Sequence, residues 1–253
     1  MGMKGKEAAL AVSMAAALVS GAAAAQAETW TITSLDWQPF SGADMDRDGA
    51  GIHALREALA TVGVTLEVDY LPWRRAKAVA ASDDSVVGYY PSWPSEVDDG
   101  FFASPVVFTS PVGFGERVDA PISWSDAADL TGYRVGVVGA YVYPEAFQDL
   151  ADSGAIATSE AVDDATALRM LIGGRVDAVA VDRYVMDYQL NTSADLSGEA
   201  GNIQFNDTIL IDYDLVIAFA ESGENRERAA LLEEALGNVD TQQIIADYIA
   251  DLR

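Results

Sequence analysis

Residues 163–182 read DDATALRMLIGGRVDAVAVD. Asp163–Ile172 has the composition of a helix, Gly173-Gly174 stops it, and Ala178–Val181 is a short apolar strand that closes on Asp182. A helix followed by so apolar a strand predicts a parallel sheet covered on both faces. Working outward, Arg134–Val138 is the preceding strand, Pro144–Ser153 a helix after it, and Tyr184–Leu190 a helix beyond Asp182. An earlier series has the same grammar. Thr29–Ser34 reads as a strand, and Gly51–Val62 as a helix with Ile52, Leu55, Leu59 and Val62 on one face. Leu66–Tyr70 returns to strand, Trp73–Ala81 is helical and Ser85–Tyr89 is a buried strand. Val106–Phe114 and Asp214–Phe219 are longer extended runs, extended segments near 106–115 and 205–219 join the series, and helices at Arg226–Leu236 and Thr241–Leu252 end the chain.

This order predicts an α/β protein of two lobes, each a mainly parallel sheet flanked by helices, joined by a two-strand hinge. The first lobe takes residues 28–110 and 213–253, the second residues 111–212. A cleft between lobes, at strand C-termini, is where such an architecture binds small molecules.

Residues 1–27 carry Lys4 and Lys6, an apolar run from Ala8 to Ala25 built mostly of small residues, and Ala25-Gln26-Ala27. That is the pattern of a cleaved export signal rather than a membrane span. No Cys follows to receive a lipid, so the expectation is a protein free in the periplasm, without direct membrane insertion. With 0 Cys, stability rests on the core rather than on disulfides. Across the chain 40 Asp and Glu face 15 Lys and Arg, a net charge of −25. So negative a molecule repels phosphate backbones and anionic lipid, which argues against nucleic-acid partners.

The strand followed by Trp37-Gln38-Pro39-Phe40, then Leu71-Pro72-Trp73-Arg74-Arg75-Ala76 and Phe102-Ala103-Ser104-Pro105, resembles the first lobe of the family 3 extracellular solute-binding proteins. Leu130-Thr131-Gly132-Tyr133-Arg134-Val135-Gly136-Val137 and Gly173-Gly174-Arg175-Val176-Asp177-Ala178 are similar to its second lobe. The Pro-Trp-Arg-Arg and Gly-Ala-Tyr-Val-Tyr-Pro stretches stand nearest a subgroup whose ligands are mostly unassigned. The resemblance implies a monomeric, periplasmic polar amino-acid-binding-like protein without cofactor, which captures a small molecule and hands it to the permease of an ABC importer.

It also implies site positions. Trp37 and Trp73 fall on aromatic positions that stack the ligand in the family, and Asp182 on the carboxylate that grips its ammonium. Asp182 also reads as the N-cap of the helix after it. Where the family places an arginine clamp for the ligand's carboxylate, this chain has Glu96, and the usual Gly-Thr/Ser-Thr cradle is Gly139-Ala140-Tyr141-Val142. Two carboxylate-holding devices are therefore missing, which points away from a standard α-amino acid. Trp37, Trp73, Tyr89, Tyr90, Trp93 and Tyr141, with Asp182 and Glu96, suit a cationic or zwitterionic amine. Arg75 either reaches the cleft as a carboxylate clamp or points to solvent.

Other chemistry finds little footing. One His and 0 Cys leave no Ser-His-Asp set, thiol nucleophile or His-rich metal site. Asp44-Met45-Asp46-Arg47-Asp48-Gly49 resembles a calcium loop but has Leu55 at its twelfth position, so it reads as an acidic turn. No catalytic residue is expected. Alternatives to transport are a ligand-sensing partner of a signalling receptor and, more remotely, a cyclohexadienyl dehydratase-like enzyme.

Overall fold

The computed structural model describes Met1, residues 28–139 and residues 141–252. All of the leader predicted over residues 1–27 except Met1 lies outside them. In the first lobe β1 (Glu28–Ser34) is followed by α1 (Ala50–Ala60), β2 (Val64–Tyr70), α2 (Trp73–Ala80), β3 (Val86–Ser92) and a short β4 (Phe101–Ala103). The long β5 (Phe108–Arg117) leads into the second lobe, with β6 (Arg134–Val138), α3 (Glu145–Asp152), β7 (Ala157–Ala161), α4 (Asp164–Ile172), β8 (Ala178–Asp182) and α5 (Arg183–Thr192). An 18-residue strand, β9 (Ile203–Ala220), brings the chain back, and α6 (Gly223–Gly237) and α7 (Thr241–Asp251) close it.

The strands run in the order β2-β1-β3-β9-β5-β8-β6-β7, with β4 paired to β9. Away from the centre the pairs are parallel: β1 with β2 and β3, β6 with β7 and β8. At the centre they are antiparallel, because β5 pairs with both β8 and β9, and β9 pairs with β3 and β4. Residues Ile203–Leu215 of β9 lie along β5, and Val216–Ala220 lie in the first-lobe sheet. The β5–β9 ribbon is thus the two-strand connection between lobes. Both α6 and α7 pack back on α1.

Burial follows from position in the sheet. Every residue of β3 and β8 is buried, as inner strands covered on both faces must be, and both are continuous apolar runs apart from Ser92 and Asp182 at their ends. Edge strand β2 alternates, burying Val64 and Leu66 and exposing Thr65 and Glu67. Edge strand β7 buries only Ala161, so its sequence carries almost no apolar signal. In α1 the buried face holds Ile52, Leu55, Ala58 and Leu59. Gly88 is required where β3 meets β9: a Cβ there would run into the Ala218 carbonyl. Asp44–Gly49 is an acidic turn closing on a short 3-10 segment, in which Arg56 pairs with Asp48.

Candidate functional site in the cleft between the lobes

A cavity of about 580 Å³ separates the lobes. From the first lobe it is bordered by residues 35–38, after β1, and residues 70–74, at the β2–α2 junction. From the second lobe come Val138 and Tyr141 after β6, residues 162–165 at the β7–α4 junction, and Val185 and Gln189 of α5. All four strand ends, those of β1, β2, β6 and β7, are C-terminal ends of parallel strands, the place where open α/β sheets bind ligands. Two recesses of about 20 and 10 Å³ adjoin the cavity and share Trp37 and Tyr141 with it.

Trp37 is held by a tight loop in which its N–H donates to the Ser41 carbonyl and its carbonyl accepts from the Ser41 N–H, at 2.7 and 3.1 Å. Its ring packs on Phe40, 5.0 Å between centroids. Trp37 borders the cavity and both recesses while only 6 % exposed, and its Nε1 makes no full hydrogen bond among the described residues. Trp73 opens α2 immediately after Pro72, so its orientation is set by the helix start. Its ring stands edge-on to Tyr89, and its Nε1 donates to Glu96 Oε1 at 2.8 Å. Lys77, one turn along α2, lies 3.6 Å from the same oxygen and 5.7 Å from the Trp73 ring.

Glu96 therefore lies at the wall of the larger recess and not free in the cleft. Burial raises its pKa, opposed by the Trp73 N–H and the Lys77 charge. Trp93 lines both recesses, stacks face to face on Tyr213 of β9 at 4.1 Å, and meets Tyr141 edge-on at 5.9 Å. Tyr141 donates from its hydroxyl to Asp164 Oδ2 at 2.9 Å.

Three residues expected in the site lie elsewhere. Tyr89 is fully buried beneath Trp73 and accepts from the Asp98 N–H, supporting the Trp73 ring from behind. Tyr90 faces the opposite side of β3, as alternation along a strand requires, and its hydroxyl is buried against Gly51. Arg75 is exposed and does not border the cavity. Its neighbour Arg74 does, reaching across to the Gly139 carbonyl at 3.5 Å. One residue along a helix turns the side chain by about 100°, so the Arg-Arg pair puts one guanidinium in the cleft and the other in solvent.

Asp182 has both oxygens engaged. Oδ1 accepts from the Tyr184 and Val185 N–H groups at 2.8 and 3.2 Å, the N-cap of α5, and Oδ2 accepts from Ser110 Oγ at 2.5 Å. It borders the smaller recess but not the main cavity, and burial pushes its pKa up to about 7. A residue not singled out from sequence, Asp164, borders the main cavity and the smaller recess at the first turn of α4. Burial raises its pKa to about 6, against the stabilising hydrogen bond from Tyr141. Asp36, Gln38, Asp163 and Gln189 complete the polar lining. The signal for Asp164 was the Asp163-Asp164 pair before an apolar helix, which gains meaning only once β7 is known to end beside it.

No family model matches the chain, and no curated protein matches its sequence. Solved structures do match. The ligand-binding core of GluR0 from Nostoc punctiforme, in complex with L-glutamate, is 18% identical with a TM-score of 0.67, covering 87% of this chain and 98% of that one. An arginine third transport system periplasmic binding protein from Legionella pneumophila is 17% identical with a TM-score of 0.67, covering 87% and 99%. A histidine kinase sensor domain similar to periplasmic binding proteins is 18% identical with a TM-score of 0.69, covering 87% and 95%. Among the described residues no helix is long and apolar enough to cross a membrane. The chain has the α/β, two-lobed fold of the periplasmic binding proteins.

Proposed function

We propose that this protein is a non-enzymatic binding module that closes its lobes on a small cationic or zwitterionic amine, not a standard α-amino acid, and delivers it to an ABC importer. The observation that carries this reading is the charge of the cleft. Three carboxylates, Asp36, Asp163 and Asp164, line the cavity against the single guanidinium of Arg74, and aromatic faces of Trp37, Trp73 and Tyr141 stand around them. Carboxylates and aromatic rings together favour a cation over an anion. Residues of both lobes contribute, so a bound ligand shifts the population toward the closed form, the form a membrane partner would read.

The leader-like N-terminus and the likeness to a transport-system binding protein support periplasmic delivery to a permease. A second reading, a sensing partner of a receptor, draws on the likeness to a histidine kinase sensor domain. A thermal-shift screen over amino acids, polyamines, betaines and organic acids tests the ligand class. A saturating match raises apparent stability by RT ln(1 + [L]/Kd), about 2.7 kcal/mol at a hundredfold excess over Kd. Stabilisation by amine-bearing compounds is the expected result, and stabilisation by simple organic acids alone would refute it.

A further inference from the structure

We propose that Asp164, and not Asp182, is the carboxylate that receives an N–H-bearing cation of the ligand, while Trp37 Nε1 donates to an oxygen of the same molecule. This rests on the binding-module reading above and names the ligand chemistry within it. Asp182 has less to offer: three donors of its own chain occupy three of its roughly four acceptor positions, and it borders the smaller recess but not the main cavity.

Asp164 is in the opposite condition. It is 6 % exposed, it borders the cavity, and the hydrogen bond it receives among the described residues comes from the Tyr141 hydroxyl to Oδ2. No ion pair among the described residues includes it, so when ionised it is a buried charge without a counter-charge. Such a group is costly unless a donor cation joins it. Its place in the first turn of α4 favours the ionised form once that cation is present.

Trp37 supplies the independent half. Its indole N–H is a buried donor without a hydrogen-bond acceptor of full geometry among the described residues, on a ring that borders the cavity and both recesses. It acts on Asp164 as a hydrogen-bond donor that favours the carboxylate's ionised form, but at a geometry too long or bent for a full hydrogen bond, so the N–H is open to a better-placed acceptor. A molecule filling the space beside both would satisfy Asp164 with a charge-assisted N–H bond and Trp37 with an oxygen lone pair. A quaternary ammonium has no N–H to give and would add no hydrogen bond to the one Asp164 receives from Tyr141. The ligand class is therefore a protonated amine, guanidinium or similar N–H cation that also carries a hydroxyl, carbonyl or carboxylate oxygen.

Isothermal titration calorimetry at neutral pH with ω-amino acids from 3-aminopropionate to 6-aminohexanoate, and with 4-guanidinobutyrate, tests this. Each is compared with its trimethylammonium counterpart and with the matching unsubstituted alkylamine. At least one N–H probe should bind, with tenfold or more loss on trimethylation. Asp164→Asn should weaken that probe tenfold or more, and Trp37→Phe should weaken it by a larger factor than it weakens the alkylamine that lacks the oxygen. Trimethylation uses the unaltered protein, so the test does not depend on any variant folding. A trimethylated probe binding as well as or better than its parent, or full affinity in Asp164→Asn, would overturn the assignment and leave the binding module standing. Absence of binding by every N–H probe also overturns it. If the wider thermal-shift screen is blank as well, the binding-module reading falls with it.

Discussion

The two buried aspartates of the second lobe carry opposite consequences of one physical fact, the cost of a carboxylate away from water. Asp182 meets that cost with three hydrogen bonds and a pKa near 7. An acid whose pKa is higher folded than unfolded binds more protons in the native state. Its contribution to stability is therefore full below about pH 4 and declines as pH rises toward 7, by at most about 4 kcal/mol. Asp182→Asn keeps a carbonyl to cap α5 and a polar group for Ser110 while removing the charge. Thermal melts should place the variant close to the unaltered protein at pH 5 and above it at pH 8. Parallel pH profiles for the two would contradict this account of Asp182.

At the scale of elements, β3 is the strand that brings the two halves of the chain together, parallel to β1 on one side and antiparallel to β9 on the other. Gly88 allows that close approach, and a methyl group there meets backbone rather than a movable side chain. Gly88→Ala should cost about 2–3 kcal/mol, seen as a fall in Tm of roughly 5–10 °C. An unchanged melt would mean that β3 and β9 part more easily than their packing indicates.

Strands and helices with a strong apolar face were legible in the sequence: β1, α1, β6, α4 and β8 lie within a residue or two of where periodicity puts them. What periodicity hid was β7, an edge strand whose residues are mostly exposed. The site divides along the same line. Trp37, Trp73, Trp93, Glu96 and Tyr141 could be picked out because large aromatics and displaced charges are visible in a linear string. Asp164 could not, since its role depends on β7 ending beside it. Whether Arg75 reaches the cleft turned on helix phase: with α2 starting at Trp73, Arg74 and not Arg75 borders the cavity.

As a whole molecule the protein is a ribbon with a lobe at each end. Its central strands belong to both lobes, so relative motion must bend β5 and β9 or rotate about them. Trp93 is stacked flat on Tyr213, which sits in β9 where pairing passes from β5 to the first-lobe sheet. Anything that bends the ribbon there alters the surroundings of an indole.

That stack, with Trp37 and Trp73, places three of the five tryptophans at the cleft. The other two are fixed in packing away from it, Trp30 against Phe219 and Trp124 against Phe114. Light emitted by the protein is thus the sum of a steady background and a signal from the space a ligand would fill. Titrating a bound compound should shift the intensity or wavelength of that emission saturably, and Trp93→Phe should remove a distinct part of the change. The aromatic walls that would hold a ligand would also report its arrival optically, without any label.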